Sequence, residues 1–116
     1  MQIIPDKQAL VQGAYAVIFS NQRTIDRSDY EQRAEKMTEL AQTMPGFLGV
    51  ESVRGEDGFG ITVSYWQDEE SIAAWRKNLE HADTIRQGRL MYYQSYNLVV
   101  CRVERTRFFV ANEDIG

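Results

Sequence analysis

Apolar residues along the chain fall into runs of two kinds, and the switch between them marks out the elements. Ala14 to Ser20 (AYAVIFS) is short, aromatic and β-branched, which predicts a strand, and the polar stretch Asn21 to Arg27 reads as a connection. Ser28, Asp29, Tyr30 and Glu31 then match a capping box, in which the Ser28 hydroxyl accepts from the Glu31 amide while Glu31 reaches back. Behind it, Tyr30, Ala34, Met37, Ala41 and Met44 recur at helical spacing, with Glu35, Lys36 and Glu39 on the solvated side. Pro45-Gly46 ends that helix.

Two further strands follow, Phe47 to Arg54 and Phe59 to Trp66, joined through Gly55, Glu56, Asp57 and Gly58, a turn able to supply positive φ. In the second of them Phe59, Ile61, Val63 and Tyr65 share one face, while Gly60, Thr62, Ser64 and Trp66 share the other. The small side chains leave room on that second face, with Trp66 at its end. Asp68 is an N-cap, Glu69 and Glu70 complement the helix dipole, and the helix runs through Ile72, Trp75 and Leu79 to His81. A short helical piece is expected from His81 to about Tyr92, loosened at Gly88, and a last strand from Tyr96 to Arg105.

The order strand, helix, strand, strand, helix, strand predicts an α+β, ferredoxin-like βαββαβ domain: one antiparallel sheet with both helices on one face. Apolar residues occupy both alternation sets of the first and last strands, whereas a sheet with one wet face alternates apolar with polar. The open face is therefore expected to be covered by a second copy of the chain as a two-fold homodimer. Residues 14–107 form the expected domain. Residues 1–13, with Pro5 and little periodicity, read as an extension or short edge segment, and 108–116 as a polar tail.

Composition narrows the classes. A chain of 116 residues with 43% apolar residues is one domain with a real core. Its net charge of −4 lacks the basic footprint of a nucleic-acid binder. One cysteine, Cys101, excludes an internal disulfide, fits a reducing compartment and reads as a buried small hydrophobe in its strand. There is no membrane-length apolar run and no export signal, so a cytoplasmic location without membrane partners is expected. One histidine and one cysteine do not make a conventional zinc site, and no dinucleotide fingerprint, P-loop or nucleophile elbow is present.

The segments YAVIFSNQRT, MPGFLGVESVR, GITVSYWQDEESIAAWRKNLEH and YYQSYNLVVCRVER together resemble the antibiotic biosynthesis monooxygenase (ABM) family of dimeric α/β barrels, over roughly residues 14–107. The block from strand to Trp66, acidic turn, helix, Trp75 and His81 is most similar to its small uncharacterised bacterial members. The resemblance implies the dimeric ferredoxin-like fold and a pocket between helices and sheet. Members of that family include cofactor-free oxygenases of phenolic polyketides or quinols, haem-degrading oxygenases and proteins with no known activity, and the resemblance implies one of these. Haem-degrading relatives use an asparagine at the end of the first strand, a tryptophan in the second helix and a histidine as iron ligand. Asn21 and Trp75 resemble the first two, but Ile85 stands at the third position, with His81 about one turn earlier. Polyketide-oxidising relatives place an asparagine four residues before the strand tryptophan and an arginine beyond. Here Trp66 stands, Thr62 takes the asparagine position and Arg86 is the counterpart of the arginine.

These positions define the expected site. His81 is the candidate general base, because imidazole titrates near neutral pH. Asn21 or Arg86 would hydrogen-bond developing oxyanion charge. Trp66, Trp75, Thr62, Tyr92 and Tyr93 would hold the substrate. Each also has a plain reading: the tryptophans as core, the tyrosines as a seal at a helix–sheet junction or interface, His81 as a helix-end residue. The working expectation is a cofactor-independent monooxygenase-like protein acting on a small electron-rich aromatic, with no resident cofactor. A haem-binding or haem-degrading protein and a non-enzymatic dimer that binds a small ligand are the alternatives.

Overall fold

A computed structural model of the chain describes residues 2–3, 12–24, 30–81, 86, 92–109 and 111, the side chains of 2, 3, 30, 80 and 81 excepted. The elements are β1 (Gln2–Ile3), β2 (Tyr15–Arg23), α1 (Tyr30–Gln42), β3 (Phe47–Arg54), β4 (Phe59–Trp66), α2 (Glu69–His81) and β5 (Tyr93–Arg102). The sheet order is β1-β3-β4-β2-β5 with every neighbouring pair antiparallel. Without β1 this is the four-stranded ferredoxin-like sheet. The first residues add a short edge strand to it, Gln2 opposite Glu51 and Ile3 opposite Val50.

The hairpin and the start of α2 form where the residues demand. Gly58 takes φ 88°, the Gly58 amide donates to the Gly55 carbonyl at 3.0 Å, and Asp57 Oδ1 accepts from the Phe59 amide at 3.0 Å. Asp68 caps α2: its Oδ1 accepts from the Ser71 amide at 2.8 Å and from the Ser71 hydroxyl at 2.7 Å, and those bonds hold its carboxyl below the usual range. The capping box expected at Ser28 and most of the helical piece expected over 81–92 lie outside the described residues. Within that piece Arg86 is helical.

Two strand boundaries differ from expectation. β2 continues through Asn21, Gln22 and Arg23, which were expected in a connection. It is paired on both sides, by β4 and β5, so ladder bonds along both edges override the polarity of its last three residues. β5 begins at Tyr93 and ends at Arg102, three residues earlier than expected at each end. Its start follows β2, Arg23 being paired with Tyr93, and the ring of Phe19 in β2 packs on Tyr93 and Tyr96 at 5.3 and 5.5 Å. Cys101, expected to be buried, is half-exposed, because β5 is an edge strand of the sheet among the described residues.

Register assigns the faces. Tyr15, Val17, Phe19 and Asn21 of β2 lie opposite Trp66, Ser64, Thr62 and Gly60 of β4. Trp66 stacks on Trp75 of α2 with ring centroids 6.0 Å apart, so this is the face that carries α2. Among the described residues the buried apolar side chains are Ala14, Ala41, Val50, Trp66 and Tyr92. On the opposite face Val53, Phe59, Ile61 and Val99 are exposed, Val53 to 72%.

Candidate functional site

Asn21 is the one polar side chain among the described residues that is almost wholly enclosed, at 2% exposure. It sits near the end of β2, flanked by Gly60 of β4 and Tyr96 of β5, with Arg54 of β3 beyond Gly60. Because position 60 carries no side chain, Arg54 reaches across the intervening strand. A Cβ on Gly60 would stand 2.7 Å from the Arg54 Cζ. Arg54 Nη2 donates to Asn21 Oδ1 at 2.7 Å, and Nη1 donates to the Gly58 carbonyl.

That bond fixes the orientation of the amide. Guanidinium only donates, so the carbonyl oxygen of Asn21 faces Arg54 and the NH2 group faces away. Nδ2 is buried and finds no acceptor among the described residues. A buried unpaired donor costs about 1–3 kcal/mol. Such a group at a strand end, held by an arginine, is equipped to donate to an oxygen that comes from outside the chain.

The surroundings are aromatic. Phe19, two residues before Asn21 and on the same face, makes an edge contact with Tyr93 at 5.3 Å and a tilted contact with Tyr96 at 5.5 Å. Tyr93 and Tyr96 meet at 6.1 Å. Tyr92 is buried beside them, its carbonyl accepting from the Thr24 amide at 2.9 Å and its ring lying under the Arg33 guanidinium at 5.8 Å. Thr62 is the cross-strand partner of Phe19, and its hydroxyl shares a hydrogen bond of 2.8 Å with that of Ser52.

The tryptophans lie elsewhere. Trp66 pairs with Tyr15, six positions along β2 from Asn21, which is about 20 Å at strand rise. It is fully enclosed, stacked on Trp75, in edge contact with Phe47 at 5.4 Å, and donates from Nε1 to Ser64 Oγ at 2.9 Å. The structure therefore brings Asn21, Tyr92, Tyr93 and Thr62 to one end of the sheet and places Trp66 and Trp75 at the other. His81 is the last residue of α2, whose 13 residues span about 20 Å, the distance between those two ends. Arg86 is helical and exposed.

Arg54 and Phe19 were not singled out from the sequence, and Gly60 only as leaving room on its face of the strand. The available signal was the register: a glycine in mid-sheet between an arginine and an asparagine on its two neighbours, which a single strand does not display. On the opposite face Tyr65 donates to Glu51 Oε2 at 2.8 Å. Burial first, then the hydrogen bond and charge of Glu51, push its phenol from 10.0 up to about 12. Among the described residues no group of three or more His, Cys, Asp or Glu is placed to hold a metal ion, and no helix is long and apolar enough to cross a membrane.

Comparison with known proteins bears on the same stretch. The family profile described as antibiotic biosynthesis monooxygenase matches residues 16–87. The uncharacterised protein YqjZ of Bacillus subtilis (strain 168) is 48% identical over 98 residues, covering 84% of this chain and 86% of that protein. Among solved structures, a mutant of SnoaB, a cofactor-independent oxygenase from Streptomyces nogalater, is similar with TM-score 0.70 at 10% identity, over 81% of this chain and 96% of that one. PA3566 from Pseudomonas aeruginosa is similar with TM-score 0.65 at 11% identity, over 84% and 100%. At those identities the solved structures speak to the fold.

Proposed function

The chain belongs to the antibiotic biosynthesis monooxygenase family, and on that premise we propose that it is a cofactor-independent monooxygenase acting on a small electron-rich aromatic of phenol or quinol type. The observation that carries this reading is the buried Asn21 amide, whose Nδ2 has no partner among the described residues, set among Phe19, Tyr93 and Tyr96. An ionised phenol reduces O2 directly. One oxygen atom becomes the new carbonyl of a quinone and the other leaves as water with the two hydrogens the substrate gives up, so no external reductant is consumed. What such a reaction asks of a protein is a base, a donor for the substrate oxygen and apolar walls that exclude water. His81 is the base in this reading, Asn21 the donor, Arg86 a second cation, and Tyr92, Tyr93 and Thr62 belong to the lining. Trp66 and Trp75, at the other end of the sheet, serve this reading as packing that seats α2. Haem forms no part of the reading, because Ile85, which offers no ligand atom, stands where the family's iron-binding members carry histidine.

The active form in this reading is a two-fold homodimer joined through the open sheet face. Its support is the exposed apolar set on that face, Val53, Phe59, Ile61 and Val99, which water would otherwise solvate. Oxygen uptake with a panel of phenols, quinols and anthrone-type compounds tests the activity. The expected result is uptake by the wild type that falls at least about 100-fold in His81→Ala and Asn21→Ala, the scale of a lost base or oxyanion donor. No uptake across the panel overturns it. A monomeric mass by light scattering at micromolar concentration overturns the dimer.

A further inference from the structure

We infer that the Arg54–Gly60–Asn21 bridge is a subsite for an ionised oxygen, so that the protein takes its aromatic ligand as the phenolate or enolate and itself promotes that ionisation. The inference rests on the aromatic-ligand reading above but assigns work that reading leaves to a base. Both groups in the bridge are donors: Arg54 Nη2 to Asn21 Oδ1 at 2.7 Å, and the enclosed Asn21 Nδ2 with no acceptor among the described residues. A neutral hydroxyl placed against Nδ2 accepts one bond and must still find an acceptor for its own hydrogen. A phenolate has no such need and accepts more strongly. Withdrawal of electron density from Oδ1 by the guanidinium also makes the amide hydrogens better donors, since linked hydrogen bonds polarise one another. Arg54 therefore acts through Asn21 and is a positioning residue.

Gly60 is what makes the bridge possible. The arginine crosses over β4 at the one residue of that strand without a side chain, and a methyl group there would meet the guanidinium at 2.7 Å. No positive φ is required at position 60, and the obstructing atoms are the far end of a flexible side chain. Gly60→Ala thus breaks the bridge by displacing Arg54, leaving both donors in the sequence and the sheet intact.

The test uses 4-nitrophenol, whose ionised form absorbs in the visible, titrated with pH on the intact protein at saturating protein concentration. Wild type is expected to lower the apparent pKa of the bound phenol by about 1–2 units, the size of effect that hydrogen bonding to the charged form produces. In Gly60→Ala and in Arg54→Gln the bound value returns to within about half a unit of the free phenol, with far-ultraviolet circular dichroism unchanged. Asn21→Ser weakens phenolate binding at high pH about 10-fold more than binding of the neutral form at low pH. Absence of saturable binding at millimolar ligand overturns the subsite, as does a bound pKa equal to the free one or a lowered pKa that survives in both bridge variants. The two readings separate cleanly. A lowered pKa without oxygen uptake on any substrate keeps the subsite and removes the oxygenase, while oxygen uptake indifferent to Gly60→Ala and Arg54→Gln keeps the oxygenase and removes the subsite.

Discussion

Gly46, in the turn between α1 and β3, sits against the first turn of α2, and replacing it with alanine tests how that helix is seated. Its φ is +82°, where an alanine costs about 1–2 kcal/mol. The added Cβ would lie 1.9 Å from Ser71 Oγ and 2.7 Å from Ser71 Cβ. The hydroxyl is tied to Asp68 Oδ1 at 2.7 Å, so turning it away loses a hydrogen bond worth about 1 kcal/mol. The Cβ overlap then remains and is relieved only by moving the start of α2, which strains the Asp68 cap and the 2.7 Å bond from the Gln67 amide to the Gly46 carbonyl. Overpacking of that kind costs about 1–3 kcal/mol. The expected loss for Gly46→Ala is about 4 kcal/mol, read as a fall of about 2 M or more in the urea midpoint for a slope of about 1.5–2 kcal/mol/M. Protein concentration is held fixed, since association adds to apparent stability. Ser71→Gly removes both overlapping atoms, so in that background Gly46→Ala should cost about 2 kcal/mol less, leaving chiefly the φ strain. A loss under about 1 kcal/mol, or equal losses in the two backgrounds, would refute the seating described here.

Three further outcomes follow from other parts of the molecule. Trp66→Ala, at a position with 0% exposure, should cost about 3–5 kcal/mol in urea unfolding. Ile61→Lys, on the exposed apolar face, should halve the mass seen by light scattering while leaving circular dichroism unchanged; an unchanged mass counts against pairing through that face. Tyr65 keeps its proton in the folded chain up to about pH 12 but loses it near 10.0 when unfolded. The stability this contributes is whole below pH 10 and is lost as pH rises from there through about 12, so Tyr65→Phe should flatten the alkaline fall in midpoint over that window.

The fold was legible because its signals are local. The alternation from Phe59 to Trp66, the Gly55 to Gly58 turn and the Asp68 cap each act within a few residues, and both hairpin strands fall where the pattern placed them. The last three residues of β2 were not legible. Asn21, Gln22 and Arg23 are polar, and only the two neighbouring strands make them a strand. The candidate site lies in between. Asn21, Tyr92 and Tyr93 were singled out by resemblance or by composition, but their company depends on register: Arg54 meets Asn21 from 33 positions away, across a glycine that reads as a mere strand start. The tryptophans mislead in the opposite way. Nine residues apart in the sequence, they do meet, yet register sets them at the far end of the sheet from Asn21.

The most direct test of the account is a crystal structure of the protein with 4-nitrophenol bound at alkaline pH. The phenolate oxygen is expected within about 2.7–3.2 Å of Asn21 Nδ2, with Arg54 still on Oδ1 and the ring against Phe19, Tyr93 and Tyr96. A ligand lodged instead beside Trp66 and Trp75, or an Asn21 Nδ2 bonded to a carbonyl of the chain itself, would contradict it.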